Sequence, residues 1–397
     1  MTLLAFDLAG RYNGRMKQIL ILGAGFGGLE LATRLQETLA DDVEITLIDK
    51  SDFFILGYSK FEVMFGRKTP EEIKSYYRNL PANIHFRQEQ IEAIDPETRR
   101  VITNANSYES DILVIALGAD VTAEATPGLA EGGHQFYTLD GAERLSQTLP
   151  AFNSGVAVLA ILGLPYKCPP APFEAALQLH DYFLQRGVRS NITIRVLSPT
   201  PTPLPVSREG SQIILRLFAE RGIEFLPGHH VTSIDPAARK AAVKDGALIS
   251  YDLFMGVPVH RVPAVVSRSG LVQDGWIPVN SQNLETRFPN VFAIGDVTKI
   301  PAGAAALPKA GAFADSAARS VADEIIYRLR GTGSSARFQG TGECYMESGS
   351  GKVAKIEANF LGGPAPDVRF LGPSLELRAD KDKFGSSRIG RWFRPAN

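Results

Sequence analysis

The feature that most constrains this chain lies in residues 17–49. An apolar run, Gln18-Ile19-Leu20-Ile21-Leu22, feeds Gly23-Ala24-Gly25-Phe26-Gly27-Gly28. Leu29, Leu31, Ala32 and Leu35 then recur at helical spacing, and a second apolar run, 43–48, ends in Asp49. The pattern predicts strand, glycine turn, helix, strand. Gly23 permits the tight turn, Gly25 lets backbone approach a diphosphate, and Gly28 lets the helix pack closely on the strand. The diphosphate is then favoured at the helix N-terminus, where N–H groups are free and the dipole is positive. Asp49 stands 21 residues beyond Gly28, where a carboxylate ending the second strand accepts a ribose 2′-OH. The cofactor-binding candidates of this stretch are Gly23, Gly25, Phe26, Gly28, Asp49 and Lys50.

A length of 397 residues suggests two or three domains, and 44% apolar residues, 21% charged residues and a net charge of −1 describe an ordinary globular chain. Nothing marks a nucleic-acid partner. No apolar run approaches the roughly 18–20 residues of a membrane span; the longest, around 155–164, is strand-sized. Residues 1–15 lack a basic region ahead of an apolar stretch and a small-residue cleavage site. They read as an arm or a misplaced start, not a secretory signal. Cys168 and Cys344 are the two cysteines. In a chain read as cytoplasmic a structural disulfide is disfavoured and a transient catalytic one is not, with two unrelated buried thiols as the alternative.

Further along, residues 50–66 are rich in aromatics and read as a loop and short helix over the cofactor, or as ordinary core. Residues 84–94 and 99–103 read as short strands, and 111–119 as a buried parallel-type strand stopping at Gly118. A helix at 141–149 leads into a second unit: a strand at 156–162, helix at 172–186, strand at 192–197 and helix at 212–221. Where a second glycine loop would bind a nicotinamide cofactor, the chain reads Ile161-Leu162-Gly163-Leu164-Pro165-Tyr166-Lys167-Cys168-Pro169-Pro170-Ala171-Pro172. One glycine remains, bulky side chains fill the approach, and the three prolines after Cys168 remove N–H donors. Nicotinamide binding in the usual mode is disfavoured. Cys168 instead stands near a helix start, where the dipole would favour thiolate.

The strand at 290–296 ends in Gly295-Asp296, suited to bringing a carboxylate against a ribityl hydroxyl, which makes FAD the expected occupant of the first loop. Pro308-Lys309-Ala310-Gly311 then opens a helix with Pro308 in its first turn. Its N-terminus would face the flavin N1–C2=O edge with Lys309 assisting, unless Lys309 is a solvated first-turn lysine. Residues 331–335 form a linker, and 338–346 with 352–360 a hairpin presenting Cys344. From Leu375 to Asn397 six basic and three acidic residues give +3 beside Phe384, Ile389, Trp392 and Phe393. Such an end suits an anionic membrane surface, or docks on its own domain or on a partner subunit.

Gly23-x-Gly25-x-x-Gly28, Leu117-Gly118, Cys168-Pro169-Pro170-Ala171-Pro172-Phe173-Glu174, Gly295-Asp296, Pro308-Lys309-Ala310-Gly311 and Cys344-Tyr345 resemble, in order and spacing, the sulfide:quinone oxidoreductase and flavocytochrome c sulfide dehydrogenase flavoproteins. The resemblance implies an α/β fold of two Rossmann-like, glutathione-reductase-type dinucleotide-binding domains plus a small C-terminal α+β region. It implies an arm (1–15), an FAD-binding domain (16–150 and 266–332), a second Rossmann-like domain (151–265) and a C-terminal region (333–397). By the same resemblance Cys168 and Cys344, 176 residues apart, would form a disulfide beside FAD that hydrosulfide opens to a persulfide and a thiolate. Two electrons would pass to FAD and on to a quinone, with Cys168, Cys344, Glu174 and Lys309 catalytic and Glu174 carrying protons. The chain departs from that group in lacking a third cysteine and in a less hydrophobic C-terminal end. The expected setting is cytoplasmic, with peripheral contact on the inner face of a membrane, and a homodimer is left open. The competing readings are a type II NADH:quinone oxidoreductase and an FAD-bearing redox sensor of low turnover.

Overall fold

The computed structural model describes residues 16–303, 305–331 and 337–393, with residue 41 by its backbone alone. The expected arm, residues 332–335 of the expected linker and Arg394 lie outside the described residues. The chain opens with β1 (Lys17–Leu22), α1 (Phe26–Leu39) and β2 (Val43–Asp49), as the glycine pattern requires. A short helix α2 (Lys60–Met64), β3 (Ile84–Gln88) and β4 (Ile112–Ile115) follow. Then comes α3 (Leu139–Thr148), capped by the Thr138 hydroxyl, which accepts the Gly141 N–H.

The second βα alternation runs β5 (Gly155–Ile161), α4 (Ala171–Gln185), β6 (Ile192–Ser198), α5 (Arg208–Glu220), β7 (Ile223–Pro227) and β8 (Leu253–Val257). The chain returns through β9 (Val291–Ala293) and α6 (Gly311–Arg330). It ends in the antiparallel strands β10 (Thr341–Glu347), β11 (Val353–Asn359) and β12 (Asp367–Ser374), followed by α7 (Glu376–Trp392).

Two parallel sheets result, in the orders β9-β4-β1-β2-β3 and β7-β6-β5-β8. All four residues of β4 and all five of β8 are buried, because a parallel sheet is covered on both faces. Gly23 has φ +100°, and a Cβ on Gly28 would lie 1.9 Å from the Gly23 carbonyl oxygen, so α1 can start this close to the turn only with glycine at both positions. The carboxyl ends of both sheets face one crevice, the usual ligand position in such folds.

Three expectations are corrected. α5 begins at Arg208, earlier than residue 212, because the Ser207 hydroxyl caps it by accepting the Gly210 N–H. α6 begins at Gly311, so Pro308 and Lys309 lie in the extended approach and not in the first turn. The C-terminal hairpin gains a third strand, β12. Of the alternatives for the basic, aromatic end, α7 takes docking on its own chain. Trp392 is fully buried, edge-on to Phe26 and Phe54 at 5.6 and 5.4 Å, and its indole N–H donates to Glu30 Oε2 at 2.9 Å. Arg391 pairs with Glu30 and Glu37, Arg388 with Asp315, and Lys381 is buried against Glu347. No helix among the described residues is long and apolar enough to cross a membrane.

Removing the indole should open a cavity behind the cofactor-facing Phe26. Trp392→Ala is expected to lower stability by about 3–5 kcal/mol in denaturant unfolding and to release flavin sooner. A change below about 0.5 kcal/mol, the scale of an exposed site, would contradict the docking of α7.

Candidate active site

A cavity of about 290 Å³ lies in the crevice. On one side stand Gly25 and Phe26 at the start of α1, Gly118 beyond β4, and Gly295 with Asp296 beyond β9. The same cavity is bordered by Cys168 and Glu174 around the start of α4, and by Cys344 of β10. The start of α6, at Ala310, Gly311 and Ala312, closes a further side.

The first wall fits a dinucleotide flavin. A Cβ on Gly25 or on Gly118 would meet nothing within 4 Å, so both backbones are open to a ligand. The first N–H groups of α1 and α6 have no acceptor inside their helices and border the same space. Asp296 supplies the sharpest sign. Its Oδ1 is buried without a hydrogen-bond partner, and burial pushes its carboxyl pKa up against the opposing charges of Lys167 and Lys309. A buried acceptor with no donor asks for one, and a ribityl hydroxyl supplies it.

Several predicted residues act from behind this wall. Gly23 and Gly28 shape the turn. Asp49 holds it, its Oδ2 accepting the Ala24 N–H at 2.8 Å and its Oδ1 the Ser51 N–H at 2.9 Å. A ribose hydroxyl would use the lone pairs that remain. Lys50 is exposed and outside the cavity wall. The Lys309 side chain also points away: its ammonium donates to the carbonyls of Asp296 at 2.7 Å and Thr298 at 3.0 Å and lies 3.3 Å from the Trp276 ring centre. The correction has a simple cause. In extended backbone, neighbouring side chains face opposite ways, so Ala310 borders the cavity and Lys309 does not. Lys309 contributes its carbonyl, which accepts the Cys168 N–H at 2.7 Å.

Cys168 has φ +53°, and its own carbonyl accepts the Ala171 N–H at 2.9 Å. Cys344 pairs with Ile356 on β11, and both cysteines are free thiols in this structure. The expected thiolate is not favoured. Burial pushes the Cys168 thiol well above its usual range, Cys344 and Glu174 add to this, and Lys60 opposes it. Cys168 lies three residues ahead of α4, beyond the reach of the first-turn dipole. Burial likewise carries Cys344 up to about 12.

Glu174, 1% exposed, is pushed up to about 7 by burial, with Lys381 opposing and Glu347 adding. It is therefore poised to give or take a proton at neutral pH. Sequence reasoning missed Tyr58, Lys60, Tyr137, Lys167 and Tyr345 as cavity residues. Lys167 and Tyr345 adjoin the two cysteines, and Tyr58 and Lys60 lie in the aromatic stretch expected over the cofactor. Tyr137, whose hydroxyl is buried without a partner, carries no sequence signal.

Fold and site together define an FAD-dependent oxidoreductase with two dinucleotide-type sheets. The chain belongs to the pyridine nucleotide-disulphide oxidoreductase family, which matches residues 17–312. It is similar to the mitochondrial sulfide:quinone oxidoreductase of Mus musculus, 23% identical over 372 residues covering 89% of this chain and 80% of that protein. It is also similar to a type II NADH:quinone oxidoreductase of Staphylococcus aureus, 27% identical over 339 residues covering 79% and 83%. The solved sulfide:quinone oxidoreductase of Aquifex aeolicus shares its fold, with a TM-score of 0.83 at 23% identity over 95% of this chain and 92% of that one.

Glu174 makes stability depend on pH. Between about 4.5 and about 7 the folded chain holds a proton that the unfolded chain has released, so this contribution is full below about 4.5 and is lost as pH rises through about 7. Relative to Glu174→Gln, the wild type should lose roughly 1 kcal/mol per pH unit across that window in denaturant unfolding. Parallel pH curves would contradict the shift.

Proposed function

We propose that this chain oxidises sulfide, or a related small sulfur species, through Cys168 and Cys344 and passes the electrons through FAD to a quinone. The observation that carries the reading is that two cysteines far apart in sequence line one cavity with Glu174 and with the residues that fit the flavin. The proposed division of labour gives FAD to residues 16–150 and 266–332 and the first cysteine to residues 151–265. The second cysteine comes from 333–397.

In the oxidised form of the pair, hydrosulfide attacks one sulfur. A new S–S bond forms, the Cys168–Cys344 bond breaks, and the products are a persulfide on one cysteine and a thiolate on the other. The high pKa values of both thiols make the released thiolate a strong electron donor in this buried setting. Lys60, pushed down to about 8 by burial with Lys167 adding, is the cation beside Cys168 that offsets the new charge. Glu174 takes up and returns the proton. Bound FAD would supply the two-electron acceptor and the route to the quinone, and as the pair leaves, the persulfide loses its proton and closes on the thiolate to give a trisulfide between Cys168 and Cys344. A quinone acceptor implies an approach to a membrane by surfaces other than the buried aromatic side chains of α7.

A nicotinamide-driven reading draws support from the Staphylococcus aureus relative. Against it stands the β5–α4 loop: a Cβ on Gly163 would lie 3.0 Å from Val259, and the Cys168 N–H is committed to Lys309. Sulfide-dependent quinone reduction measured for wild type, Cys168→Ser and Cys344→Ser discriminates. Each serine variant should lose roughly 10³-fold in kcat while keeping FAD and its affinity for quinone. Quinone reduction driven by NADH and indifferent to both substitutions would reject the sulfur reading.

A further inference from the structure

We infer that Lys381 and Glu347 form a proton relay connecting Glu174, on the wall of the cysteine cavity, to a separate water-accessible cavity that Glu347 borders. The inference rests on Glu174 being the site's proton carrier. Glu174 is almost fully buried, so once flavin and substrate fill the cavity it borders it needs another route to water.

That second cavity, of about 250 Å³, is bordered by Glu347, Gln178, Arg67, Asp181 and Arg378. Glu174 does not border it, but every polar partner of Glu174 leads toward it. Glu174 Oε1 accepts the Glu347 N–H at 3.0 Å and lies 3.9 Å from the Lys381 ammonium. The ammonium donates to Glu347 Oε1, and Glu347 Oε2 is 3.3 Å from Arg378 Nη2. The Tyr58 ring centre lies 4.7 Å from the Lys381 ammonium.

A second path is chemically closed. Gln178 Nε2 donates to Glu174 Oε1 at 3.4 Å and Gln178 Oε1 accepts from Arg67 at 2.7 Å, but neither an amide nor a guanidinium gives up a proton at neutral pH. A lysine ammonium placed between two carboxyl groups can pass a proton along in concert, taking one from one side as it gives one to the other. Lys381 passes one proton to the Glu174 carboxylate and is refilled from Glu347, which takes a proton from water in the outer cavity. Lys381 and Glu347 then return to their starting charges, and Glu174 ends as the neutral acid. The carboxyl of Glu347 suits the outer position. Burial alone would raise it, but Lys381 and Arg378 hold it below the ordinary carboxylate value, so it hands its proton on.

The test reads the Glu174 carboxyl directly and needs neither sulfide nor turnover. The holoenzyme at pH about 6 is mixed with D2O, and the infrared C=O stretch of the buried acid, identified by its loss in Glu174→Gln, is followed as it shifts on deuteration. Wild type should exchange within the mixing time. Lys381→Arg, which preserves the ion pair but cannot release a proton, should slow exchange about tenfold or more, as should Glu347→Gln, and added azide should restore the rate in both. Exchange in Lys381→Arg as fast as in wild type, or a slowing that azide leaves untouched, overturns the relay. Because no sulfur compound is present, that result stands apart from failure of the cysteine chemistry, whereas absence of an acid band lost in Glu174→Gln would remove the proton carrier itself.

Discussion

The hydrogen bond from the Cys168 N–H to the Lys309 carbonyl, 2.7 Å long, joins the two halves of this molecule where its chemistry lies. It runs beside the bridge between Lys167 and Lys309, so the loop after β5 is stitched to the approach of α6 as a short parallel ladder. With it, Cys168 is turned, at φ +53°, onto the wall of the flavin crevice. The terminal sheet then brings Cys344 to the same wall, and α7 locks that sheet to α1 through Trp392 and Glu30.

Burial governs the electrostatics of the enclosed site. It raises both thiols and both key carboxyls, Glu174 and Asp296, and lowers the lysines that face them. The effect differs by role. Asp296 is left with an unfilled acceptor, which a bound cofactor would satisfy, whereas Glu174 is held near neutrality by Lys381, so that it changes protonation in the working range. In the proposed chemistry the thiolate released when hydrosulfide opens the oxidised pair carries a charge that burial disfavours, and it is reactive for that reason.

Much of this was legible in the sequence, because backbone geometry at a few positions tolerates only certain residues. Gly23, Gly25 and Gly28 announced the first turn, and the missing glycines around Cys168 announced that the second turn had another use. The order of motifs also placed Gly118, Gly295 and Asp296 near the flavin crevice. Three things escaped. Lys309 was read one register position away from its true orientation, because the helix start was set at Pro308 and not at Gly311. The α7 aromatics were left open between a membrane surface, the chain's own domain and a partner subunit, because a one-dimensional pattern cannot distinguish lipid from Phe26 and Phe54 as the apolar partner. The thiol pKa values came out opposite to the dipole argument, because burial depends on residues such as Tyr137 and Phe136 that no spacing links to Cys168.

The central claim is that electrons enter through the cysteine wall and not through a nicotinamide site. Its most direct measurement is an anaerobic rapid-mixing experiment on the oxidised holoenzyme, following the flavin absorbance after addition of sulfide and, separately, of NADH. The account predicts fast bleaching by sulfide and none by NADH on the same timescale. Fast bleaching by NADH, with sulfide inert, would contradict it and would mean that the loop around Cys168 admits a nucleotide despite its closed backbone.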